Sequence, residues 1–333
     1  MSVYEDIQGR AKINQEAPGP IRLVLPATSA NLGPAFDSAG LAMGLTLTID
    51  AQPSQTASGP PLRIEATGRN ADRCARISNN MIFETYRDVL SRAARPVTPL
   101  YLRLQNEIPL GMGCGSSAAA LLGGVMLANH FGGLGWDRHA CLEEACRREG
   151  HPDNVAACAL GYLTVSAVSE GSVAAATCGE NLPWNLLLAL PPASLPTERA
   201  RALLPMTYSR ADAVANVQCA SLLVAAFALG RGDFLRIAMQ DRLHQPYRME
   251  ACPMLPLLLP LSGTPGVLGV ALSGAGPGIL LIVEKSSDFD QVTSRIRKAA
   301  GGAELEIIRT AIGPGAVQSI PAAKPLNQAF LTE

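Results

Sequence analysis

The stretch PLGMGCGSSAAALLGG, Pro109 to Gly124, places glycines at 111, 113 and 115 directly ahead of two serines and a run of strong helix formers. Glycine permits positive φ and close backbone approach, so successive N–H groups can turn toward one anion. The helix start adds partial positive charge. The pattern therefore suits a phosphate-type loop running straight into an apolar, buried helix, yet it contains no lysine or arginine. It lacks the Gly-Lys-Ser/Thr ending of a P-loop, Ser116 stands where G-x-G-x-x-G needs its last glycine, and no G-x-S-x-G elbow is present. The plain alternative is a glycine turn whose Ser116 or Ser117 merely caps a helix. Cys114, near the helix start, is a nucleophile only with a partner histidine, and no fixed-spacing histidine supports it.

Magnitudes show that such a loop does not act alone. A charge at a helix N-terminus gains about 0.3–1 kcal/mol when exposed and up to about 2 in favourable sites, whereas micromolar binding needs roughly 8. The remainder must come from several N–H hydrogen bonds, a base pocket and a divalent cation, so a carboxylate for magnesium is expected elsewhere in the chain.

The formal net charge of −1, with scattered arginines, gives no basic stripe for a nucleic-acid backbone. No uninterrupted apolar run approaches the roughly 18 residues of a membrane span, and MSVYEDIQGR lacks a signal peptide's apolar segment, so a cytoplasmic protein with no membrane partner is expected. The eight cysteines include no CxxC pair and read as reduced, small, buried side chains. The four histidines form no zinc-binding spacing.

At 333 residues the chain is long enough for two domains. Residues 1–20 read as a loose arm ending in APGP. Strands are expected in IRLVLPA, LTLTIDA, LRIEATG, LYLRLQNEI, GYLTVSAVS and WNLLLALPP. Helices are expected in NNMIFETYRDVLSRAA, in SSAAALLGGVMLANHF and over Asp137–Glu149. The Gly- and Ser-bearing stretch around 170–181 is the expected junction, dividing a domain over 21–172 from one over 173–333. Beyond it, helices are expected in TERARALLP, ADAVANVQCASLLVAAFALG, DFLRIAMQDRL and 288–300, with strands in VLGVALSG, GILLIVE and LEIIRTAIG. Both halves mix helix and strand, which makes the fold class α+β.

Three further segments concentrate polar groups. LSGAGPG at 272–278 reads as a hairpin turn. PATSANLGPAFDSAG at 26–40 reads as a loop after the first strand, where turn chemistry accounts for part of its polarity. EGHPDN at 149–154 precedes an apolar helix, with Asp153 or Asn154 available as a cap.

Together and in this order, the four segments resemble the GHMP small-molecule kinases over residues 21–280, and PATSANLGPAFDSAG, EGHPDNVAA and DRLHQPYR are similar to the homoserine kinases among them. The resemblance implies a two-domain fold with ATP and substrate in the cleft between domains, and ATP-dependent phosphorylation of the side-chain hydroxyl of L-homoserine in threonine synthesis. It implies nucleotide contacts from Pro109, Leu110, Gly111, Met112, Gly113, Cys114, Gly115, Ser116, Ser117 and Asn80, with phosphates on 111–117. Substrate contacts fall on Asn31, Asp37, His151, Asn154, Thr197, Arg201 and Arg248. Asp37 would meet the ammonium group, and the two guanidinium forks would meet the carboxylate; as plain residues, both arginines read equally well as surface charges.

Magnesium is expected on Glu149 and Ser117, with Glu143 and Glu144 as alternatives to Glu149. Asn154, by position, is the counterpart of the family's catalytic aspartate. On that alignment Asn31 and Asn154 orient the hydroxyl, and Asp153 is the alternative base. Phosphoryl transfer through a loose transition state needs little early deprotonation, so alignment and charge neutralisation can suffice. Ala35, Cys114 and Gly278 depart from the family's usual glycine, leucine and serine, but none removes a charged ligand. A kinase for another small alcohol, and a non-catalytic sensor on the same fold, are the rival readings; the first has no need of the Asp37, Arg201 and Arg248 clamp. A homodimer is compatible with the sequence.

Overall fold

The computed structural model describes residues 18–54 and 62–321; the expected arm lies outside the described residues up to residue 17. Seven strands form one sheet: β1 (Ile21–Asn31), β2 (Ala35–Pro53), β3 (Leu62–Gly68), β4 (Leu100–Asn106), β5 (Leu163–Ser169), β6 (Ser172–Cys178) and β11 (Val317–Ser319). Its main path runs β11-β1-β2-β4-β3, and the 19-residue β2 also pairs β5 through Ala39–Leu41. Four strands, β7 (Trp184–Leu190), β8 (Val267–Leu272), β9 (Ile279–Glu284) and β10 (Glu306–Thr310), form a second, antiparallel sheet in the order β10-β7-β9-β8.

The first half carries α1 (Ala71–Cys74), α2 (Met81–Arg92), α3 (Ser116–Gly132), α4 (Arg138–Glu149) and α5 (Asp153–Leu160). The second carries α6 (Thr197–Ala202), α7 (Arg210–Leu229), α8 (Leu235–Ala238), α9 (Gln245–Arg248), α10 (Met254–Leu258) and α11 (Phe289–Ala299). The mixture confirms the α+β class.

Sequence periodicity explains the layers. WNLLLAL in β7 is apolar at every position but Asn185 because both faces are covered: Trp184, Leu186, Leu188 and Leu190 join the core of the first half, while Leu187 and Ala189 face a second core under α10 and α11. The two sheets therefore share one core, and the loops that bear chemistry meet above it. α3 is apolar nearly all round because it is sandwiched between β1 and β2 on one side and α2, α4 and α5 on the others.

Three expectations change. The stretch expected as a junction at 170–181 forms β6, which pairs β5 along its whole length and stays in the first sheet, and the chain reaches the second sheet only at Trp184. Alternation in SVAAATC is masked by alanine, which is why it reads as linker. The loop expected at 26–40 is instead the meeting of β1 and β2, turned at Leu32–Pro34; Asn31 and Leu32 take positive φ, and Asn31 Oδ1 accepts the Asp37 N–H at 3.0 Å to close it. The single helix expected in DFLRIAMQDRL breaks after Ala238, because the Asp241 carboxylate accepts the N–H groups of Leu243, His244 and Gln245 and holds a turn in place of helix.

Among the described residues one helix, α7, has the length and mean hydropathy, 1.6, of a membrane span, although Asp212, Asn216 and Gln218 interrupt its apolar run. It packs into the body through Asn216, Leu223, Ala226 and Phe227, and Asn216 bonds the carbonyl of Pro34 and the amide of Arg242.

Candidate active site

The glycine loop lies between β4 and α3 and is held from behind. The carbonyls of Met112, Gly113 and Cys114 accept from Gly278 N–H (3.2 Å), Ser273 Oγ (2.8 Å) and Thr28 N–H (3.0 Å). A trans peptide points its N–H opposite to its C=O, so the amides of Gly113, Cys114 and Gly115 face the other way. That way is the cleft those three residues line. Gly113 and Gly115 have φ of 73° and 69°, and a Cβ at either would sit 2.0 Å from Ser273 O or 1.8 Å from Thr28 Oγ1. The 272–278 segment is thus a hairpin turn, as expected, and also the clamp on the loop; its register gave no sign of that second role.

The cleft gathers nearly every residue singled out in the sequence: Asn31, Asp37, Gly111, Gly113–Ser117, Glu149, His151, Asp153, Asn154, Thr197, Arg201 and Arg248. It opens through Gly111, Ser116 and Ser117 into a neighbouring cavity of about 400 Å³ lined by Leu110, Asn80, Met81 and Ile82. Pro109 and Met112 do not join it. They line a separate hollow with Leu110, Arg69 and Leu190. Asn80 caps α2 through its side-chain oxygen and donates to the carbonyls of Cys74 and Arg76, so its carboxamide shapes the cavity wall.

Glu149 ends α4 where it reaches the start of α3, and Ser117 Oγ donates to its Oε2 at 3.0 Å. Burial raises the Glu149 carboxyl above its usual range. A carboxylate and a hydroxyl side by side at the amide face of an anion loop are the hard oxygen donors that suit magnesium. Glu143 instead accepts from Ser172 and Val173, and Glu144 pairs with Arg147 and Arg148. Ligand atoms of Asp37, His151 and Asp153 also come within 4.8 Å of one another, but each is already bonded to a protein partner.

Opposite the loop, Arg201 at the end of α6 makes a two-pronged bond to Asp37, 2.6 and 3.0 Å. This Asp37 bond holds the Arg201 charge above its usual range. Arg248 on α9 is buried, 1% exposed, and burial lowers its pKa. Both guanidinium groups approach the Phe36 ring, 5.5 and 5.6 Å from its centre. The sequence offered Phe36 no signal beyond its place between Asn31 and Asp37.

Asp153, 1% exposed, accepts from His151 Nδ1 and the Asn154 amide, both at 2.6 Å and both on Oδ1. Burial works against charge on His151, but the Asp153 hydrogen bond and charge outweigh it, so its pKa is raised. Asn154 Oδ1 accepts from Thr28 Oγ1 at 2.7 Å. Asn31 donates to Gly274 O and accepts from Asp37 N–H, so its carboxamide shapes the turn that presents Asp37. The Cys114 thiol is buried and pushed up to about 12, which removes it as a nucleophile.

Residues 80–162 match the GHMP kinases N terminal domain and residues 223–302 the GHMP kinases C terminal domain. The chain is 47% identical over 267 residues to a homoserine kinase of Solibacter usitatus, covering 79% of this chain and 85% of that one. It is 36% identical to a homoserine kinase of Carboxydothermus hydrogenoformans, covering 86% and 93%. The crystal structure of a homoserine kinase from Cytophaga hutchinsonii superposes with a TM-score of 0.76 at 21% identity, over 96% of this chain and all of that one, and shows the shared fold. The chain belongs to the homoserine kinase family of the GHMP kinases.

Proposed function

We propose that this protein transfers the γ-phosphoryl group of ATP to the side-chain hydroxyl of L-homoserine, feeding threonine synthesis in the cytoplasm. The observation that carries the reading is one cleft holding two complementary sites: the amide face of the glycine loop, with Ser117 and Glu149, and a pair of charges of opposite sign, Asp37 and Arg201, with Arg248 beside them. The first suits a polyphosphate, the second a zwitterion.

ATP phosphates lie along Gly111–Ser117, and the adjoining cavity beside Asn80 takes the base. Homoserine exchanges into the Asp37–Arg201 pair: its ammonium group replaces the guanidinium on Asp37, and its carboxylate replaces Asp37 on Arg201, so no charge is left unpaired. Arg248 and Thr197 complete the carboxylate end. Ser117 and Glu149 would hold magnesium, which would supply positive charge to neutralise the phosphates. The substrate hydroxyl then lies toward Asn154 and Asp153, near the amides that meet the developing phosphate charge. Asp153 accepts the hydroxyl proton late in transfer, and His151, hydrogen-bonded to it, stabilises its charge.

The reading is tested by ADP release over homoserine, serine, threonine, shikimate and mevalonate. Turnover on homoserine is expected to dominate, and turnover on mevalonate alone would overturn it. For the base, Asp153→Asn should lower kcat by about 100-fold or more while leaving the homoserine KM nearly unchanged. An unaltered kcat would leave alignment on Asn154 as the working mechanism.

A further inference from the structure

Behind Arg248 lies His244, completely buried and absent from the residues picked out in the sequence. Its Nε2 is 2.8 Å from the Gly33 carbonyl oxygen and its Nδ1 is 3.0 Å from Arg248 Nη1. A carbonyl oxygen only accepts, so Nε2 must carry the proton; a guanidinium only donates, so Nδ1 must be bare. The two contacts independently require the same neutral tautomer. Burial agrees, pushing the ring down to about 4 even though the Asp241 carboxylate, 3.6 Å from Nε2, works in the other direction. Asp241 instead spends its oxygens on the backbone amides of Leu243, His244 and Gln245, which fixes the turn that presents the ring. Phe36 stacks on the ring, centroids 5.4 Å apart.

The contrast between the two arginines shows what this arrangement accomplishes. Arg201 is paired with a carboxylate, Asp37. Arg248 is bonded, among the described residues, only to neutral acceptors: the carbonyls of Ala200 and Gly274, and His244 Nδ1. A carboxylate in the place of His244 would hold the fork equally well but would cancel its charge. A neutral imidazole orients the fork and leaves the charge uncompensated. We propose that His244 is a positioning residue for carboxylate recognition, a neutral acceptor that fixes the Arg248 guanidinium while keeping its positive charge for the substrate. This rests on the reading of Arg248 as part of the homoserine carboxylate site.

The test compares two variants of nearly equal shape. In His244→Asn the side-chain oxygen can take the place of Nδ1 as a neutral acceptor; in His244→Asp it carries charge. The expected result is a homoserine KM within about threefold of wild type for His244→Asn and raised about tenfold or more for His244→Asp, with the ATP KM steady in both. Equal KM values for the two variants would overturn the proposal, since a purely structural role does not distinguish them by charge. Should either variant fail to fold, ¹⁵N NMR of histidine-labelled wild-type protein decides instead. A pyridine-like Nδ1 and protonated Nε2 at pH 7 support the proposal, and the opposite tautomer or an imidazolium overturns it. Arg248→Ala, assayed for inhibition by 3-aminopropan-1-ol, which is homoserine without its carboxylate, separates the two levels. If the variant still prefers homoserine over this amine as strongly as wild type, the carboxylate-site reading fails. If it loses that preference while His244→Asn and His244→Asp behave alike, only the His244 proposal fails.

Discussion

Glu149 is asked to be charged in a place that disfavours charge. Its carboxyl is raised by burial, so the folded state prefers the protonated form. The sign follows: stability from this group is fully present below its unfolded pKa, about 4.3, and is lost as pH rises through the higher folded value. At pH 7.5, in chelator, Glu149→Gln should therefore melt above wild type, the difference shrinking to nothing by about pH 4, while activity assayed with magnesium falls about 100-fold or more. Thermal melts across pH check this, and a variant less stable than wild type at pH 7.5 would contradict it. Arg201→Ala should raise the homoserine KM roughly tenfold, at the low end for a charged hydrogen bond, because the substrate no longer has to displace Arg201 from Asp37. An unchanged KM would place Arg201 outside the site. At this scale the sequence was informative about charged residues in family motifs and silent about Phe36 and His244, whose roles arise from side chains that stack or bond across α6, α9 and the β1–β2 turn.

The glycine loop is shaped by two other segments, β1 and the 272–278 turn, that hold its carbonyls, and this sets its tolerance to substitution. Gly115→Ala would drive a Cβ to 1.8 Å from Thr28 Oγ1, at a φ of 69°. The loop must move away from β1, and displacement by about 1 Å can cost about 100-fold. The expected outcome is a fall of that order in kcat/KM for ATP with the fold retained, checked by ATP titration and circular dichroism; an unchanged ATP KM would remove the loop from phosphate binding. The loop and the helix after it were legible because glycine spacing and helix propensity are local signals. The clamp by Ser273 and Gly278 was not, since it joins residues about 160 positions apart in sequence. Among Glu143, Glu144 and Glu149, only Glu149 ends α4 beside Ser117, which is why it is the proposed magnesium ligand.

Across the whole molecule, β7 belongs to two cores at once, so the halves are expected to unfold together. A non-hydrolysable ATP analogue and homoserine, each at about 100 times its dissociation constant, should each add about 2.7 kcal/mol and shift one calorimetric transition upward. Two transitions of which only one moves would show that the halves are energetically separate. The chain's path reinforces the coupling: after the second sheet it returns through β11 to pair β1, and isolated bridges join Met43 to Ile312 and Gly161 to Pro314.

From sequence alone came the α+β class, most of the strands and helices, the phosphate loop without a cation, and the family's charged residues in their order. Those depend on periodicity, on propensity and on motifs a few residues long, all of which are written locally. Tertiary structure alone decided that β6 belongs to the first sheet, that Asp37 and Arg201 are partners, that Cys114 is inert, and that a neutral histidine stands behind Arg248. The β5–β6 hairpin is local, but alanine masks its alternation; the others depend on burial or on contact between distant segments, and neither is encoded in the neighbours of a residue along the chain.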